Sequence, residues 1–350
     1  MIDVGLIGFG LAGRAFHAQV IRAVPGLRLA AIWQRSGNEA AEQYPDVRIV
    51  RTLEELLAIK EIRLVVIATP NDSHFPLAEQ CLAAGRDVLV DKPFTTTLEE
   101  AIALVEFAKR QGRLLTVYQN RRYDGDFQAI VKLVASGVLG RIVRFESNYD
   151  RFRPQLKPNA WRERPGPGTG IFFDISPHLI DHALLLFGLP ESLTADIRME
   201  REGAAVDDAF DLAFHYPRGL RVDLRSSILA AATRPRFTLH GTQGAFVKLS
   251  VDPQESNLRR GRIPADSAWG AEPEENWGLL TLSENGVLTQ RRVPSANCDY
   301  RDFYANLGDA ILGKAELAVN TDWALNVMRL LELARQSSNE RRTVFVTATN

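Results

Sequence analysis

The sequence predicts an α/β protein in which a Rossmann-type, doubly wound parallel sheet is followed by an α+β domain with a broad, mostly antiparallel sheet. Three observations support this fold class. A glycine-rich string, GFGLAG at 8–13, stands between an apolar run and a helical stretch; strand-like and helix-like segments alternate through the first third; and period-two alternation takes over after about residue 122. We therefore expect two domains, over 1–122 and 123–350.

The first domain is read from short apolar runs separated by amphipathic stretches, an arrangement typical of parallel strands joined by right-handed helical crossovers. Thr97 and Glu100 have the spacing of a helix capping box, and Gly85 and Gly112 fall where helices end. Strands are predicted at 4–8, 29–33, 64–68, 88–90 and 114–118, with helices at 14–24, 39–44, 53–59, 76–84 and 98–111.

The second domain is read from alternation such as Leu220-Arg221-Val222-Asp223-Leu224, which is typical of antiparallel strands with one buried face. The segment 253–277 is rich in Pro, Gly and charge and is predicted to be a loop. We expect the last helix to pack back on the first domain. Strands are predicted at 141–152, 192–202, 207–216, 220–231, 236–250 and 278–293, with helices at 126–136, 177–187, 299–313 and 321–337.

Composition excludes several classes of partner. The 350-residue chain has a formal net charge of −1, which argues against a nucleic-acid partner. Its two cysteines, Cys81 and Cys298, lack metal-ligand spacing and suit a reducing compartment, so we expect a cytoplasmic protein without a metal. The N-terminus has no basic region or cleavage site, and the longest apolar candidate, 183–189, is too short for a membrane span.

The glycine string has the strand–turn–helix setting in which it can bind a dinucleotide. Gly8 allows the tight turn, Gly10 lets the backbone approach a pyrophosphate, and Gly13 lets the helix pack close to its strand. The amides at the start of that helix attract phosphate. The predicted cofactor-binding residues of this turn are Gly8, Phe9, Gly10, Leu11, Ala12 and Gly13.

The residues after the second strand favour NADP over NAD. NAD-binding domains place a carboxylate here to bind the ribose diol, whereas this chain has Arg35 and Ser36. A guanidinium can bind the 2′-phosphate through charge-assisted hydrogen bonds. The alternative is that Arg35 is only a solvated loop residue, in which case NAD remains possible.

Two further strand ends carry polar residues that we expect near the same ligand. The string ATPNDSH at 68–74 offers Thr69, Pro70, Asn71 and His74, although Asn71 can equally cap the following helix. The string DVLVDKP at 87–93 places Lys92 directly before a proline, and proline can form a cis bond that aims the preceding side chain. Because ligands bind at the carboxyl ends of parallel strands, Lys92 is a candidate catalytic residue rather than a surface lysine.

The second domain contributes GPGTGIFFDISPHLIDHALLLFG at 166–188. Ser176 and Pro177 are predicted to be the N-cap and first residue of a helix, which places Asp174 and His178 beside its mouth, about one turn apart. Histidine suits proton transfer near neutral pH, and a neighbouring carboxylate can orient it. The alternatives are a satisfied, half-buried histidine and a metal cluster with Asp181 and His182, which we disfavour because Asp181 more simply caps the helix.

These motifs together resemble the Gfo/Idh/MocA oxidoreductase family over essentially the whole chain. The strings are GFGLAG, ATPNDSH, VDKPF, QNRRYD and GIFFDISPHLIDHALLLFG, and NYDRFRP, WRERPGPGTG, PRFTLHG and DPQE are similar to its bacterial branch of NADP-dependent scyllo-inositol dehydrogenase-like proteins. The resemblance implies a catalytic set of Lys92, Asp174 and His178. Many members have Glu before the lysine, where this chain has Asp91. It also implies a homo-oligomer, most simply a dimer, formed through the open sheet.

The resemblance also extends the candidate site. Trp161 and Arg162 are implied to contact the cofactor with Asp91 and Lys92, and the segment 121–123 borders the cleft. The implied substrate-binding residues are Lys92, Arg121, Tyr149, Asp174 and His178. This mixture of donors and acceptors favours a neutral inositol or sugar, although the arginines leave an acidic substrate open.

Three functions therefore stay open at this point. The presence of both Lys92 and His178 favours a dehydrogenase that uses NADP, or NAD, on a polyol or sugar. The alternatives are a nucleotide-sensing regulator without turnover and an NAD-dependent glycosidase.

Overall fold

A computed structural model describes residues 1–157, 160–264 and 269–347. The chain forms two compact units, each assembled from three segments. The first consists of Met1–Tyr123, Pro253–Trp269 and Cys298–Leu325, and the second of Asp124–Asp252, Gly270–Asn297 and Asn326–Asn350. Residues 253–269 and 298–325, which the sequence analysis placed in the second domain, therefore lie in the first unit.

The first unit contains the predicted doubly wound sheet. Six parallel strands have the order β3-β2-β1-β4-β5-β6, so the order reverses between β1 and β4. Strands covered on both faces need continuous apolar runs, which explains the burial of every residue of β1. Of the described strands of this sheet, only β3 was not predicted. The strands are β1 (Ile2–Ile7), β2 (Leu27–Trp33), β3 (Arg48–Val50), β4 (Ile62–Ile67), β5 (Asp87–Val90) and β6 (Leu115–Val117).

The helices of this unit mostly follow the prediction, and the capping residues explain their ends. The Thr97 hydroxyl accepts the Glu100 amide at 3.1 Å, whereas the Glu100 carboxylate reaches the amide and hydroxyl of Thr96. Gly112 ends the helix with φ of 61°. The elements are a π-helical stretch (Ala12–Ala18), α1 (Gln19–Arg22), α2 (Glu39–Gln43), α3 (Leu53–Leu57), α4 (His74–Ala83), α5 (Leu98–Gln111), α8 (Gln254–Arg259) and α9 (Arg301–Ile311).

The second unit contains a nine-stranded sheet of order β14-β13-β12-β11-β7-β10-β9-β8-β15, in which only β7 and β10 pair in parallel. The predicted strands 236–250 and 278–293 are each a hairpin. Asn285 and Gly286 have φ of 53° and 82°, as a tight hairpin turn requires. The strands are β7 (Ile142–Asn148), β8 (Ser192–Arg198), β9 (Ala209–His215), β10 (Arg221–Ser227), β11 (Phe237–Gly241), β12 (Gly244–Lys248), β13 (Gly278–Glu284), β14 (Val287–Val293) and β15 (Val344–Phe345).

The remaining helices are α6 (Gly125–Ser136), α7 (Gly170–Phe187) and α10 (Thr321–Glu340), and the division between the units falls inside α10. The helix α7 is apolar and long enough to cross a membrane, more so than the sequence analysis indicated, but 78% of it is buried, as in a core helix. The prediction of a loop over 253–277 was wrong in part, since α8 and a 3₁₀ turn (Glu274–Asn276) lie there.

The start of α7 corrects the sequence analysis. The helix begins at Gly170, not near Pro177, which lies in its interior. The Asp207 carboxylate accepts the Phe172 amide at 2.6 Å, and the Asp207 carbonyl accepts the Ile171 amide at 2.9 Å. Gly170 has φ of +88°, and a Cβ there would lie 2.3 Å from the Asp207 carboxylate. The true cap therefore comes from a distant loop, and the Ser-Pro signal was misleading.

Candidate active site

The glycine turn follows β1 at the point where the strand order of the sheet reverses, which is where doubly wound folds bind ligands. Gly8 has φ of +94°, and a Cβ there would lie 2.5 Å from the Ala68 carbonyl. A Cβ on Gly13 would lie 2.0 Å from the Gly8 carbonyl. At Gly10 a Cβ would meet no protein atom within 4 Å, so its side faces open space. This turn fits a dinucleotide pyrophosphate.

The loop after β2 presents Arg35 to solvent. Arg35 and Ser36 are exposed, and the Arg35 guanidinium has no partner in the part of the chain that the structure describes. Arg51 holds the loop from behind by donating to the Gln34 carbonyl at 2.9 Å. Glu39, the first carboxylate after β2, accepts a hydrogen bond from the Gln34 side-chain amide. The loop therefore offers a cation, and its carboxylate is already engaged.

The turn after β4 is braced from inside by His74. The His74 ring is fully buried, with Nδ1 2.8 Å from the Pro93 carbonyl and Nε2 3.1 Å from the Thr69 carbonyl. Burial lowers the pKa of His74, so the ring is neutral and donates to one of these oxygens. His74 thus joins the turn after β4 to the turn after β5. It was predicted to contact the cofactor, but its ring nitrogens face protein carbonyls.

Neighbouring residues complete the same turn. The Ser73 hydroxyl lies 2.7 Å from the Thr69 hydroxyl and 2.6 Å from the Pro70 carbonyl. Asn71 begins the 3₁₀ turn Asn71–Ser73 and is 6% exposed. These contacts fix the backbone of the strand end beside the glycine turn.

Lys92 stands at the end of β5, and its bond to Pro93 is cis. The Asp91 carboxylate accepts the Lys92 amide at 2.8 Å. Burial acts to raise the pKa of Asp91, but His17 and the Lys92 ammonium outweigh it, so the net pKa is lowered. Asp91 is therefore an ionised carboxylate that fixes the main chain of the lysine.

The second unit places Asp174 and His178 on α7. Residues four apart share one face of a helix, so the two side chains are neighbours, as predicted, but they lie in the helix interior and not at its mouth. The Asp174 carboxylate lies 3.3 Å from the Arg151 guanidinium and 3.5 Å from that of Arg162. His178 is 5% exposed. Two cations thus hold the carboxylate beside the histidine.

Aromatic rings support these arginines. Arg162 lies over the Trp161 ring at 4.4 Å, and Arg151 lies over the Tyr149 ring at 5.1 Å. Arg236 contacts the same tyrosine, also at 5.1 Å. Such cation–π contacts fix the planes of the guanidinium groups. Tyr149 was a predicted substrate contact and here supports Arg151.

Arg121 and Arg122 lie in the first unit and are both engaged. Arg121 is ion-paired with Glu255 on α8, and its side chain is 7% exposed. Arg122 donates to the Ala318 carbonyl at 2.6 Å and lies 4.5 Å from the Trp323 ring. The ion pair balances the charge that an acidic substrate would use at Arg121.

Sequence reasoning missed three residues of these clusters. Arg151 lies inside the string NYDRFRP, which carries part of the resemblance to the family. His17 and Tyr304 form a buried pair with Nδ1 and the hydroxyl 2.6 Å apart, although 287 positions separate them. The sequence contains one indication of this pair, which is that His17 is a polar residue on the apolar face of the helix after the glycine turn. No metal cluster of three or more His, Cys, Asp or Glu occurs among the described residues.

These features define an oxidoreductase with a dinucleotide-binding domain. Residues 2–119 match the NAD-binding Rossmann-fold model of an oxidoreductase family, and residues 131–346 match the model of its C-terminal alpha/beta domain. The chain belongs to the Gfo/Idh/MocA oxidoreductase family.

Three relatives show how far the similarity extends. The uncharacterized oxidoreductase YdgJ of Escherichia coli is 43% identical and covers 98% of both chains. The scyllo-inositol 2-dehydrogenase (NADP(+)) IolW of Bacillus subtilis is 36% identical over 99% of this chain and 96% of its own. The structure of YPO2259 from Yersinia pestis superposes with a TM-score of 0.94 at 43% identity, covering 100% of this chain and 98% of the other.

Proposed function

We propose that the protein is an NADP-preferring dehydrogenase that transfers a hydride between the nicotinamide and a secondary hydroxyl or ketone of a polyol or sugar. The observation that carries this proposal is the turn at the end of β5. There an ionised Asp91 fixes the backbone of Lys92, in the same unit as a glycine turn that fits a pyrophosphate. The similarity to IolW supports the same reaction class.

Lys92, His178 and Asp174 have different roles in the proposed proton transfer. The nicotinamide supplies the hydride chemistry when it is bound. Lys92 holds and polarises the reacting oxygen, and His178 takes the hydroxyl proton, or supplies it in the reverse direction. Asp174 orients His178 and binds a neighbouring substrate hydroxyl.

The preference for NADP rests on Arg35. A phosphate that carries about two negative charges gains charge-assisted hydrogen bonds from an exposed guanidinium with no competing carboxylate. Glu39, the first carboxylate after β2, accepts a hydrogen bond from the Gln34 side-chain amide. The name of IolW, which specifies NADP(+), supports the same preference.

A neutral ring is the substrate class that the charges favour. Arg121 is paired with Glu255, and Arg151 and Arg162 both lie beside Asp174. These arginines therefore already have carboxylate partners, which leaves them less suited to bind a substrate acid. Polyol hydroxyls both donate and accept, and they suit a site with Asp174 and His178 side by side.

A turnover screen tests the proposal. Purified protein is assayed with inositols, aldoses, their ketones and lactones, and hydroxy acids, each with NADP and NAD in both directions. We expect activity with an inositol or sugar and higher kcat/KM with NADP. Turnover confined to a hydroxy or keto acid overturns the substrate class, and equal or better efficiency with NAD overturns the cofactor preference.

Two alternatives are separated by the same preparation. Dinucleotide binding without turnover on any substrate indicates a nucleotide sensor. Release of nitrophenol from nitrophenyl glycosides in the presence of NAD indicates a glycosidase. Either result replaces the dehydrogenase proposal.

We also propose that the protein is a homodimer that associates through the second sheet. The helix α7 packs on one side of β9 and β10. The strands also carry charges of both signs, with Arg198 2.6 Å from Asp211 and Arg225 3.5 Å from Glu146. The side of the sheet that α7 does not cover can therefore pack against the same side of a second copy, with unlike charges in contact. A monomer mass from light scattering at micromolar concentration overturns this proposal.

We assign the protein to the cytoplasm as part of the same proposal. The chain has only two cysteines, Cys81 and Cys298, which suits a reducing compartment. Fractionation of the expressing cells tests this assignment.

A further inference from the structure

A buried polar cluster joins the helix after the glycine turn to the turn that carries Lys92. His17 lies in the π-helical stretch Ala12–Ala18 and has no exposed surface. Its Nδ1 is 2.6 Å from the Tyr304 hydroxyl, and its Nε2 is 3.8 Å from Asp91 Oδ2. The ring packs on Tyr118 with the centroids 4.4 Å apart. All of these residues belong to the first unit.

Tyr304 determines which nitrogen of His17 carries the proton. Burial raises the pKa of Tyr304 well above its usual value, and neighbouring Tyr118 and Asp91 act in the same direction. The phenol therefore keeps its proton and can donate it to Nδ1 of a neutral imidazole. The proton of the ring is then on Nε2, which faces Asp91. Nε2 is therefore the nitrogen that can donate toward Asp91.

Asp91 stands between His17 and Lys92. Its Oδ1 accepts the Lys92 amide at 2.8 Å, and its Oδ2 faces the imidazole. The 3.8 Å separation is longer than a hydrogen bond, so the interaction is electrostatic, and it acts through a site with little solvent to screen it. A carboxylate held at one oxygen by the backbone and at the other by a charge or dipole has one orientation.

The π-helical stretch itself is anchored. The Tyr118 hydroxyl donates to the Phe16 carbonyl at 3.0 Å, next to His17. A π-helical turn is uncommon and often occurs at functional sites. The same stretch begins within the glycine string, at Ala12, and includes Gly13, so the position of His17 is fixed relative to the loop that fits the pyrophosphate.

We propose that His17 is a positioning residue for Lys92, which it holds through the Asp91 carboxylate, and that it links this lysine to the helix after the dinucleotide turn. This inference rests on the proposed function of Lys92. Four other ionisable groups surround Asp91 and Lys92. They are His17 from the π-helical stretch, His74 from α4, Tyr118 after β6 and Tyr304 from α9.

The first test measures the tautomer and needs no turnover. The six histidines are labelled with ¹⁵N in the full-length protein, and the His17 signal is assigned by its loss in His17→Gln. We expect the proton on Nε2 in the wild type and a changed tautomer population in Tyr304→Phe. A wild-type His17 protonated only on Nδ1 overturns the proposal, whatever the enzyme turns out to catalyse.

The second test is a double-mutant cycle on kcat between His17→Leu and Asp91→Asn. We expect each single variant to lower kcat about 10- to 100-fold, with KM for the substrate changed less than about 3-fold. The double variant should be no slower than Asp91→Asn by more than about 2-fold, because both changes remove one interaction. His17→Gln, which keeps a donor on the side chain, should recover most of the activity.

Controls separate positioning from stability. His240→Leu removes an exposed histidine of β11 and should leave kcat unchanged. If His17→Leu does not fold, a cycle between Tyr304→Phe and Asp91→Asn replaces it, because Tyr304→Phe removes the partner of His17 Nδ1. Effects that multiply in the double variant mean that His17 does not act through Asp91, and they overturn the proposal.

Discussion

The two units hold their candidate site residues in different ways. In the first unit, the polar residues lie at the ends of β1, β2, β4 and β5, and hydrogen bonds between neighbouring turns hold them, as His74 holds Thr69 and Pro93. In the second unit, Asp174 and His178 lie on one face of α7, and the side chains of Arg151 and Arg162 fix the carboxylate. Hydrogen bonds to the main chain hold the site residues of the first unit, whereas ion pairs between side chains hold those of the second unit.

This difference has a physical consequence. A strand-end site tolerates little change in backbone, because each turn is fixed by the next one. A site on a helix face depends on the register of the helix, so it shifts only if the helix itself does. Substitutions that disturb only the strand ends or only the helix face therefore distinguish the two arrangements.

Substitutions at the proposed catalytic residues should affect turnover but not cofactor binding. Lys92→Ala and His178→Ala should each lower kcat by about 10²- to 10⁴-fold, since positioned acid–base groups contribute this much. His178→Ala should leave the dissociation constant of NADPH, measured by fluorescence titration, within about 3-fold. The exposed Lys109→Ala serves as the control. Near-normal turnover in His178→Ala would remove the helix face from catalysis.

The glycine turn should respond differently at two of its positions. Gly13→Ala puts a Cβ 2.0 Å from a backbone carbonyl, so we expect a stability loss of about 1–3 kcal/mol and a lower Tm. Gly10→Ala meets no protein atom, so its Tm should stay within about 1 °C of wild type while dinucleotide affinity falls. Thermal melts with and without NADPH measure both. Equal destabilisation by the two substitutions would contradict the assignment of Gly10 to the ligand.

The preference for NADPH over NADH should depend on Arg35. Arg35→Asp removes a cation that has no protein partner in the described ranges and adds repulsion toward phosphate. We expect kcat/KM for NADPH to fall about 10- to 100-fold, with little change for NADH. Arg48→Asp, an exposed change on β3, is a control for a general effect of charge. A parallel fall with both cofactors would point to loop damage instead.

The free energy of unfolding should depend on pH through Asp207, the residue that caps α7. Burial raises the pKa of Asp207 to about 6 from an ordinary value of 3.8. The folded protein therefore binds this proton more tightly than the unfolded chain, and the contribution of Asp207 to stability decreases as pH rises from about 4 to about 6. Asp207→Asn should remove that slope, by at most about 3 kcal/mol. Urea unfolding from pH 4 to 8 measures it.

The exposed Asp309→Asn on α9 is the control for this experiment. It should leave the slope unchanged. A slope that persists in Asp207→Asn would assign the titration to another group.

The first unit was more predictable than the second. The strands β1, β2, β4, β5 and β6 were all found, because a parallel sheet covered on both faces imposes continuous apolar runs. The glycine turn and Lys92 were both predicted to follow buried strands, and they follow β1 and β5, since a turn after a buried strand has a local sequence pattern. The interpretation of Arg35 and the catalytic roles stay predictions.

Three of the errors share one cause, which is dependence on residues distant in sequence. The start of α7 is fixed by Asp207, so the Ser176-Pro177 pair gave the wrong boundary. Residues 253–269 and 298–325 fold into the first unit through partners such as Glu255 with Arg121, which no local pattern reveals. His17 was overlooked because its partners lie in other elements of the chain.

The composition of the first unit from three chain segments has a consequence for synthesis. At about 5–20 residues per second, the ribosome needs roughly 15 to 60 s to add the 287 residues between His17 and Tyr304. While residues 118–253 are being added, the nascent chain has all six strands of this sheet but neither α8 nor α9. The emerging N-terminal part therefore waits for its own C-terminal pieces, and a fragment that ends at residue 123 should expose the surface that those helices cover.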